Sequence, residues 1–478
     1  MKKTLPVLLG ALALLGPARA QTTKAGVIAR IDASKQTYED IALKIWGFAE
    51  VGYHETQSSS LLQSQLKREG FAMQVGVAEI PTAFIASYGS GHPIIAILGE
   101  FDALPGVSQE AVPEKKERPG SAAGHACGHH LFGTASIAAT IAVKDWMKTT
   151  GQQGTIRFYG TPAEEGGGGK VYLVRAGLFK DVDTVITWHA GDRNQVRETS
   201  SLANTSAKFR FHGIASHAAA APERGRSALK AVEAMDYMVN MLREHIPDST
   251  RIHYVITHGG EAPNVVPAFA EVFYYVRSPI RAIVADVFAR VVKAAEGAAL
   301  GTGTTMDYEI IHGVYELLPN EVLCRVMQPN LELVGGVPYT PEERAFAEKI
   351  GQTLFGKAPA PEIAALVEPF DPRPLGSGGA STDVGDVSWN VPTVGMTAAT
   401  WVPGTPAHSW QAVAAGGMSI GLKGMVVAAK TMALTAMDLF KQPEIIAKAK
   451  AEFENRRGPD FKYVPLLGDR KPPLDYRN

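Results

Sequence analysis

The sequence predicts an α/β fold built on a mostly parallel sheet, with a smaller α+β unit inserted into it. Two observations carry the first half. The continuous apolar run Ile94–Leu98 reads as a strand buried on both faces. It and the strand-like segments 155–162, 183–191 and 391–402 alternate with helix-period segments at 136–147, 170–177 and 416–440, as a helix-covered parallel sheet requires. The third observation is a change of pattern over residues 204–318, where segments follow in the order βαββαβ. That order suits a four-stranded antiparallel sheet with two helices, a ferredoxin-like unit with its own core.

A chain of 478 residues exceeds what one compact core usually holds, so two domains are expected. The formal net charge of -1, without long basic or acidic blocks, gives no footprint for nucleic acid or an anionic membrane. Lys2 and Lys3 precede the apolar run Leu5–Gly16, which ends at Ala18-Arg19-Ala20. This is the pattern of a secretory signal peptide cleaved after Ala20, too short to span a bilayer, and it predicts a periplasmic or secreted protein. The expected division is signal peptide 1–20, principal domain 21–203 and 319–445, inserted unit 204–318 and a polar, proline-bearing tail 446–478.

Taken in order, residues 27–50 show apolar spacing near 3.6 and predict one helix. A second, 58–70, stops at Gly70; 81–90 and 94–98 predict paired strands. Residues 105–120, rich in Pro, Glu and Lys, predict a surface loop leading into Gly124-His125-Ala126-Cys127-Gly128-His129-His130 and its helix. The two cysteines do not make a disulfide scaffold: Cys324 sits at an apolar helical position and reads as a buried small hydrophobe.

Ligands of open α/β sheets bind beyond the carboxyl ends of the strands. Asp102, Glu164, Glu165 and His189 fall at predicted strand ends, and His408 lies in a loop after one. A single histidine of this kind is usually a core or surface residue. Cys127, His129, Glu165, His189 and His408 together form a ligand set of mixed hardness, more than one structural zinc uses and enough for two divalent ions. Glu164 and Glu165 are adjacent, so their side chains diverge from an extended backbone. Glu165 is assigned to metal and Glu164 to the general base, with Asp102 orienting a ligand histidine. His130 points away from His129, and Glu100 is ambiguous. In the inserted unit His217, Asn264 and Arg277 are candidates for substrate carboxylate or oxyanion contacts, although by periodicity alone they are ordinary loop and strand residues.

These stretches resemble the M20 metallopeptidase and amidohydrolase family, in its aminoacylase-like branch that carries H-x-C-G-H. The likeness rests on GHACGHHLFGTAS (124–136), TPAEEGGGGK (161–170), DVDTVITWHAG (181–191), PNVVPAFAEVFYYVR (263–277) and residues 381–411. It implies a two-metal catalytic domain holding zinc or manganese, with Cys127, His129, Glu165, His189 and His408 at ligand positions and Glu164 as catalytic base. It also implies that the inserted unit is a lid and dimerisation domain, so that His217 and Asn264 reach a neighbouring subunit's site in a homodimer. The residue after C-G-H is His130, where this branch usually carries Asp or Asn.

The expected activity is metal-dependent hydrolysis of the amide between an acyl or aryl-acyl group and an amino acid such as glutamate, with Glu164 moving the proton and His217 helping at the oxyanion. A dipeptidase or carboxypeptidase on the same scaffold is the alternative within enzymes. A non-catalytic binding protein is the alternative outside them, and Glu164 argues against it, since a binder has no need of a base beside the metal.

Overall fold

The computed structural model describes residues 22–373 and 379–477. The signal peptide expected at 1–20 lies outside the described residues. The segment expected to be one helix is two, α1 (Lys24–Ala33) and α2 (Lys35–Phe48), because the backbone leaves helical geometry at Ser34 (φ -106°, ψ 8°). Helix α3 (Thr56–Arg68) follows.

The strands of the principal sheet are β1 (Ala72–Val75), β2 (Phe84–Ser90), β3 (Ile94–Gly99), β6 (Gly154–Gly160), β7 (Thr184–Gly191), β8 (Gln195–Glu198), β13 (Asp371–Pro372) and β14 (Thr393–Ala399). Their order is β1-β2-β6-β3-β7-β14-β8-β13, and the central four, β6-β3-β7-β14, are mutually parallel; β2 and β3, expected to pair with each other, are instead separated by β6, which pairs with both. The loop after β3 holds a small antiparallel pair, β4 (Leu104–Pro105) and β5 (Ala123–Gly124). Every residue of β3 is buried. Ile95 and Ile97 pack into one core, against α4 (His129–Thr150) and α12 (Ser419–Lys441), while Ala96 and Leu98 pack into the other, against α5 (Gly169–Arg175) and α10 (Val384–Ser388). That two-sided burial explains the unbroken apolar run. Helix α12 is long and apolar enough to cross a membrane, yet 89% of its most apolar window is buried, as suits a core helix.

From β3 the chain crosses to β6 on one side and then to β7 on the other. The crossovers diverge at β3, which puts a topological switch point, where ligands of such sheets bind, beyond the carboxyl ends of β3 and β7.

The inserted unit contains β9 (Ala203–His212), α6 (Ala228–Leu242), β10 (Arg251–His258), β11 (Phe269–Ser278), α7 (Arg281–Thr302) and β12 (Thr305–Val314). All pairings are antiparallel, in the order β10-β11-β9-β12. Ala207, Phe209 and Phe211 of β9 and Val272, Tyr274 and Val276 of β11 face α6 and α7, giving this unit a core of its own. The opposite sheet face carries Asn204, Ser206, Tyr275, Arg277 and His312.

Helix α8 (Glu321–Val334) buries Cys324, and no disulfide joins Cys324 to Cys127. Helices α9 (Pro341–Gly351) and α11 (Trp410–Gly416) complete the principal domain. The boundary expected at 445/446 falls inside α13 (Pro443–Arg457), which packs on α8: Asn320 Nδ2 donates to the Ala449 carbonyl (2.8 Å), and the Glu452 carboxylate accepts from the Glu321 and Val322 amides (2.8 and 2.9 Å). Residues 458–477 continue as an extended strap.

Candidate metal centre

The turn before α4 depends on Gly128. Its φ is +73°, and a Cβ there would lie 2.5 Å from Ala190 Cβ, so glycine is needed both for the backbone and for the approach of β7. This brings Cys127, His129 and His189 together, with their ligand atoms within 4.8 Å of one another. A second group, Cys127, Glu165 and His408, meets the same limit and shares the sulfur. A third, Glu100, His129 and Glu164, lies alongside.

Hydrogen bonds fix the imidazoles. His129 donates from Nδ1 to Asp102 Oδ1 (2.9 Å), and His189 donates from Nδ1 to the Ala190 carbonyl (2.7 Å), leaving Nε2 of each for coordination. The other Asp102 oxygen accepts from the Glu165 amide (2.9 Å), so one carboxylate orients a histidine and the backbone of a neighbouring candidate ligand. His408 Nε2 lies 3.5 Å from Glu165 Oε1, and the His408 amide donates to the Ala126 carbonyl (3.1 Å). Ala163 and His408 hold left-handed backbone (φ 58° and 60°), uncommon for residues with a side chain. At Ala163 the fully buried Glu55 carboxylate secures it by accepting its amide (2.8 Å).

Electrostatics point to a cation. A histidine donating through Nδ1 presents a lone pair at Nε2, and His129 Nε2 faces Glu100 Oε2 at 3.0 Å. Two acceptors so close in a buried site call for a proton or a cation beside them. His129 Nε2 and Glu165 Oε1 are buried without hydrogen-bond partners. Burial works against a charged His129, but Glu100 and Asp102 overcome it and raise its pKa. Burial, with His129 nearby, keeps His189 below the ordinary imidazole value, in the neutral form a ligand needs. Burial also pushes the Cys127 thiol up. A thiol, imidazoles and carboxylates in this arrangement fit divalent ions.

Glu164 is half-buried, and its pKa is raised by burial and by Glu100, Glu165 and Asp383 around it. Glu165 is lowered: burial opposes ionisation, but His408 and His129 outweigh it. Behind both lies a cation the sequence did not suggest. Lys170, fully buried, places Nζ 2.6 Å from Glu100 Oε1 and 2.7 Å from Asp383 Oδ1. Asp383 is 213 residues away in sequence, so no local pattern announces the pair. His130 bonds the Gly416 carbonyl through Nε2 (3.0 Å), away from the cluster.

The lid candidates divide. His217 and Asn264 are exposed on adjoining loops: His217 bridges to Val265, its Nδ1 accepts from the Ala219 and Ala220 amides, and the Asn264 carbonyl accepts from the Ala218 amide (3.0 Å). Arg277 stands at the far end of β11, opposite Asn204, with its buried Nε lacking a partner. On the same sheet face, buried His312 also has an unpartnered Nε2, and its ring lies against Gly168 of the glycine turn. His217 belongs to none of the clusters of ligand atoms.

Residues 203–302 match the model of the peptidase dimerisation domain. The chain is 43% identical over 449 residues to the B subunit of the p-aminobenzoyl-glutamate hydrolase of Escherichia coli K12, covering 89% of this chain and 93% of the relative. The chain belongs to the M20 family. Like other M20 members it is a hydrolase acting on amide bonds. It is also 28% identical to the Xaa-Arg dipeptidase of Mus musculus, over 89% of this chain and 90% of that one. Among solved structures, a dinuclear metal-binding M20 peptidase from Bacillus subtilis shares the fold, with a TM-score of 0.57 at 16% identity over 86% of this chain and 99% of that one.

Proposed function

We propose that this M20 enzyme is a metal-dependent amidohydrolase that cleaves N-acyl or N-aryl-acyl amino acids of the p-aminobenzoyl-glutamate kind. The observation that carries this reading is the pair of ligand groups sharing Cys127, with Glu164 beside them. Cys127, His129 and His189 would hold one ion and Cys127, Glu165 and His408 the other, as zinc or manganese; the dinuclear relative supports two. Such ions, when bound, supply Lewis-acid polarisation of the scissile carbonyl and a more acidic water.

The chain's own residues do the rest. A Glu164 carboxylate oxygen takes the proton from the attacking water and returns it to the leaving amide nitrogen; burial and the carboxylates around it raise its pKa, the direction that makes it a stronger base. Asp102 keeps His129 in one tautomer. His217, with Nδ1 engaged by backbone amides, presents Nε2 as an oxyanion donor, and Asn264 stands beside it for the substrate. Arg277 supplies a guanidinium for a substrate carboxylate. His217 and Asn264 complete the site of a second subunit in a homodimer, whose interface includes the exposed β10 edge with Tyr254, Val255 and Ile256. The dipeptidase reading is kept by the likeness to the Xaa-Arg dipeptidase, which extends over 89% of this chain.

The deciding experiment measures release of free amino acid from p-aminobenzoyl-glutamate, a panel of N-acyl amino acids and a panel of dipeptides, using protein stripped of metal and reloaded with zinc or manganese. Metal-dependent release from the conjugates, reduced roughly 100-fold or more in Glu164→Gln, is expected. Preference for dipeptides would replace the substrate class, and release undiminished in Glu164→Gln would remove the assigned base.

A further inference from the structure

The strap 458–477 crosses three parts of the molecule before it ends at the candidate centre. Tyr315 Oη donates to the Val464 carbonyl (2.6 Å), and Leu467 is buried against the core on the α5 side. Arg470 donates to the carbonyls of Ile310 and Ile311 and to Glu309 Oε1 (3.0 Å), all on lid strand β12. From α5, Arg175 donates to the Gly468 carbonyl (3.1 Å) and Tyr172 to the Lys471 carbonyl (3.3 Å). Tyr476 Oη then donates to the Glu165 carbonyl (3.1 Å), and Arg477 Nη2 donates to the same oxygen (2.5 Å).

Both donors therefore converge on the main chain of a candidate metal ligand, at the Glu165–Gly166 peptide. The Glu165 amide is already held by Asp102, so the residue is gripped on both sides. The Tyr476 ring meets Tyr53 edge-on (centroids 5.5 Å, 73° between planes), and Tyr53 Oη donates to the Gly167 carbonyl (2.8 Å), two residues further along the same turn. Gly52 makes this approach feasible: a Cβ there would lie 2.3 Å from Tyr476 Oη and 3.0 Å from Ala163. Simple surface packing would not need two side-chain donors on one backbone oxygen.

We propose that Tyr476 and Arg477 are positioning residues that hold the Glu164–Glu165 turn in its working geometry, and that the strap ties that turn to the lid through Arg470. The proposal rests on the assignment of Glu164 and Glu165 above, and it has a readout that needs no substrate.

The test compares the full chain with Tyr476→Phe, Arg477→Ala and the double variant. Cobalt(II) titration followed by its visible absorption gives the metal dissociation constants, and steady-state kinetics with the best substrate give kcat and KM. The double variant is expected to bind the weaker ion roughly 10-fold less tightly and to lose roughly 10-fold in kcat at nearly unchanged KM, with Arg477→Lys recovering part of the loss. Tyr476→Phe removes one hydroxyl and keeps the ring against Tyr53, so it reports even if the double variant misfolds. Wild-type dissociation constants and kcat in folded Tyr476→Phe and Arg477→Ala would overturn the proposal. If the wild type hydrolyses no member of the panel, the proposed activity falls, and the cobalt constants alone judge the strap.

Discussion

Lys170 Nζ lies 2.6 Å from Glu100 Oε1, with both side chains buried, and the same ammonium reaches Asp383 Oδ1 at 2.7 Å. The cation compensates two carboxylates that have no access to water, immediately behind the candidate ligands. Lys170→Met leaves both uncompensated and is expected to cost about 3–5 kcal/mol of stability. Adding Glu100→Gln should recover part of it. Thermal unfolding of the two variants checks this: equal melting temperatures for wild type and Lys170→Met would contradict it.

Asp102 acts on two groups at once, orienting the His129 ring and accepting the Glu165 amide. Asp102→Asn keeps the shape but weakens both bonds. A 10- to 100-fold loss of metal affinity is expected, measured by competition with a chromogenic chelator, with little change in far-UV circular dichroism.

Much of this centre is legible in the sequence. Glu164 and Glu165 lie in the turn that follows β6 and His189 near the carboxyl end of β7, so fold class and candidate ligand set reinforce one another, and the inserted unit's βαββαβ order follows from clear alternation in segments such as Phe269–Ser278. Other parts carry no local signal. The break at Ser34 leaves the apolar period intact on either side, and the Lys170–Asp383 pair depends on tertiary proximity alone. The strap works through backbone carbonyls and a few long side chains, which a polar, proline-bearing stretch does not advertise. Arg277 stands apart from Asn264 because the extended β11 lies between them.

Asp386 gives a pH dependence. Its carboxyl is buried, accepts from Tyr463 Oη (2.6 Å) and the Tyr315 amide (2.9 Å), and is pushed up by burial to about 7 from an ordinary value of 3.8. In that window the folded state binds the proton that the unfolded state has released. Its contribution to stability is therefore full below the ordinary value, declines as pH rises through the window, and is lost above about 7. The Asp386→Asn variant lacks this term. The difference in melting temperature between wild type and variant should shift against the wild type by several degrees from about pH 4 to about pH 8, corresponding to at most about 4 kcal/mol. A difference independent of pH would contradict the assignment.

The β10 edge exposes Tyr254, Val255 (56% accessible) and Ile256 in a row. If it pairs with a second copy, Val255→Lys should shift the sedimentation coefficient from dimer to monomer and lower kcat, because His217 no longer reaches a neighbouring centre. A monomeric wild type, or a fully active monomeric variant, would remove the shared site.

Cys127 belongs to both ligand groups. Under the proposed ligation, the two ions cannot be independent: whichever enters first displaces the thiol proton and orients the sulfur for the second, so occupancy at one position sets affinity at the other, and the coupling runs equally in both directions. A single chemical lesion at one sulfur atom would abolish the whole centre rather than half of it.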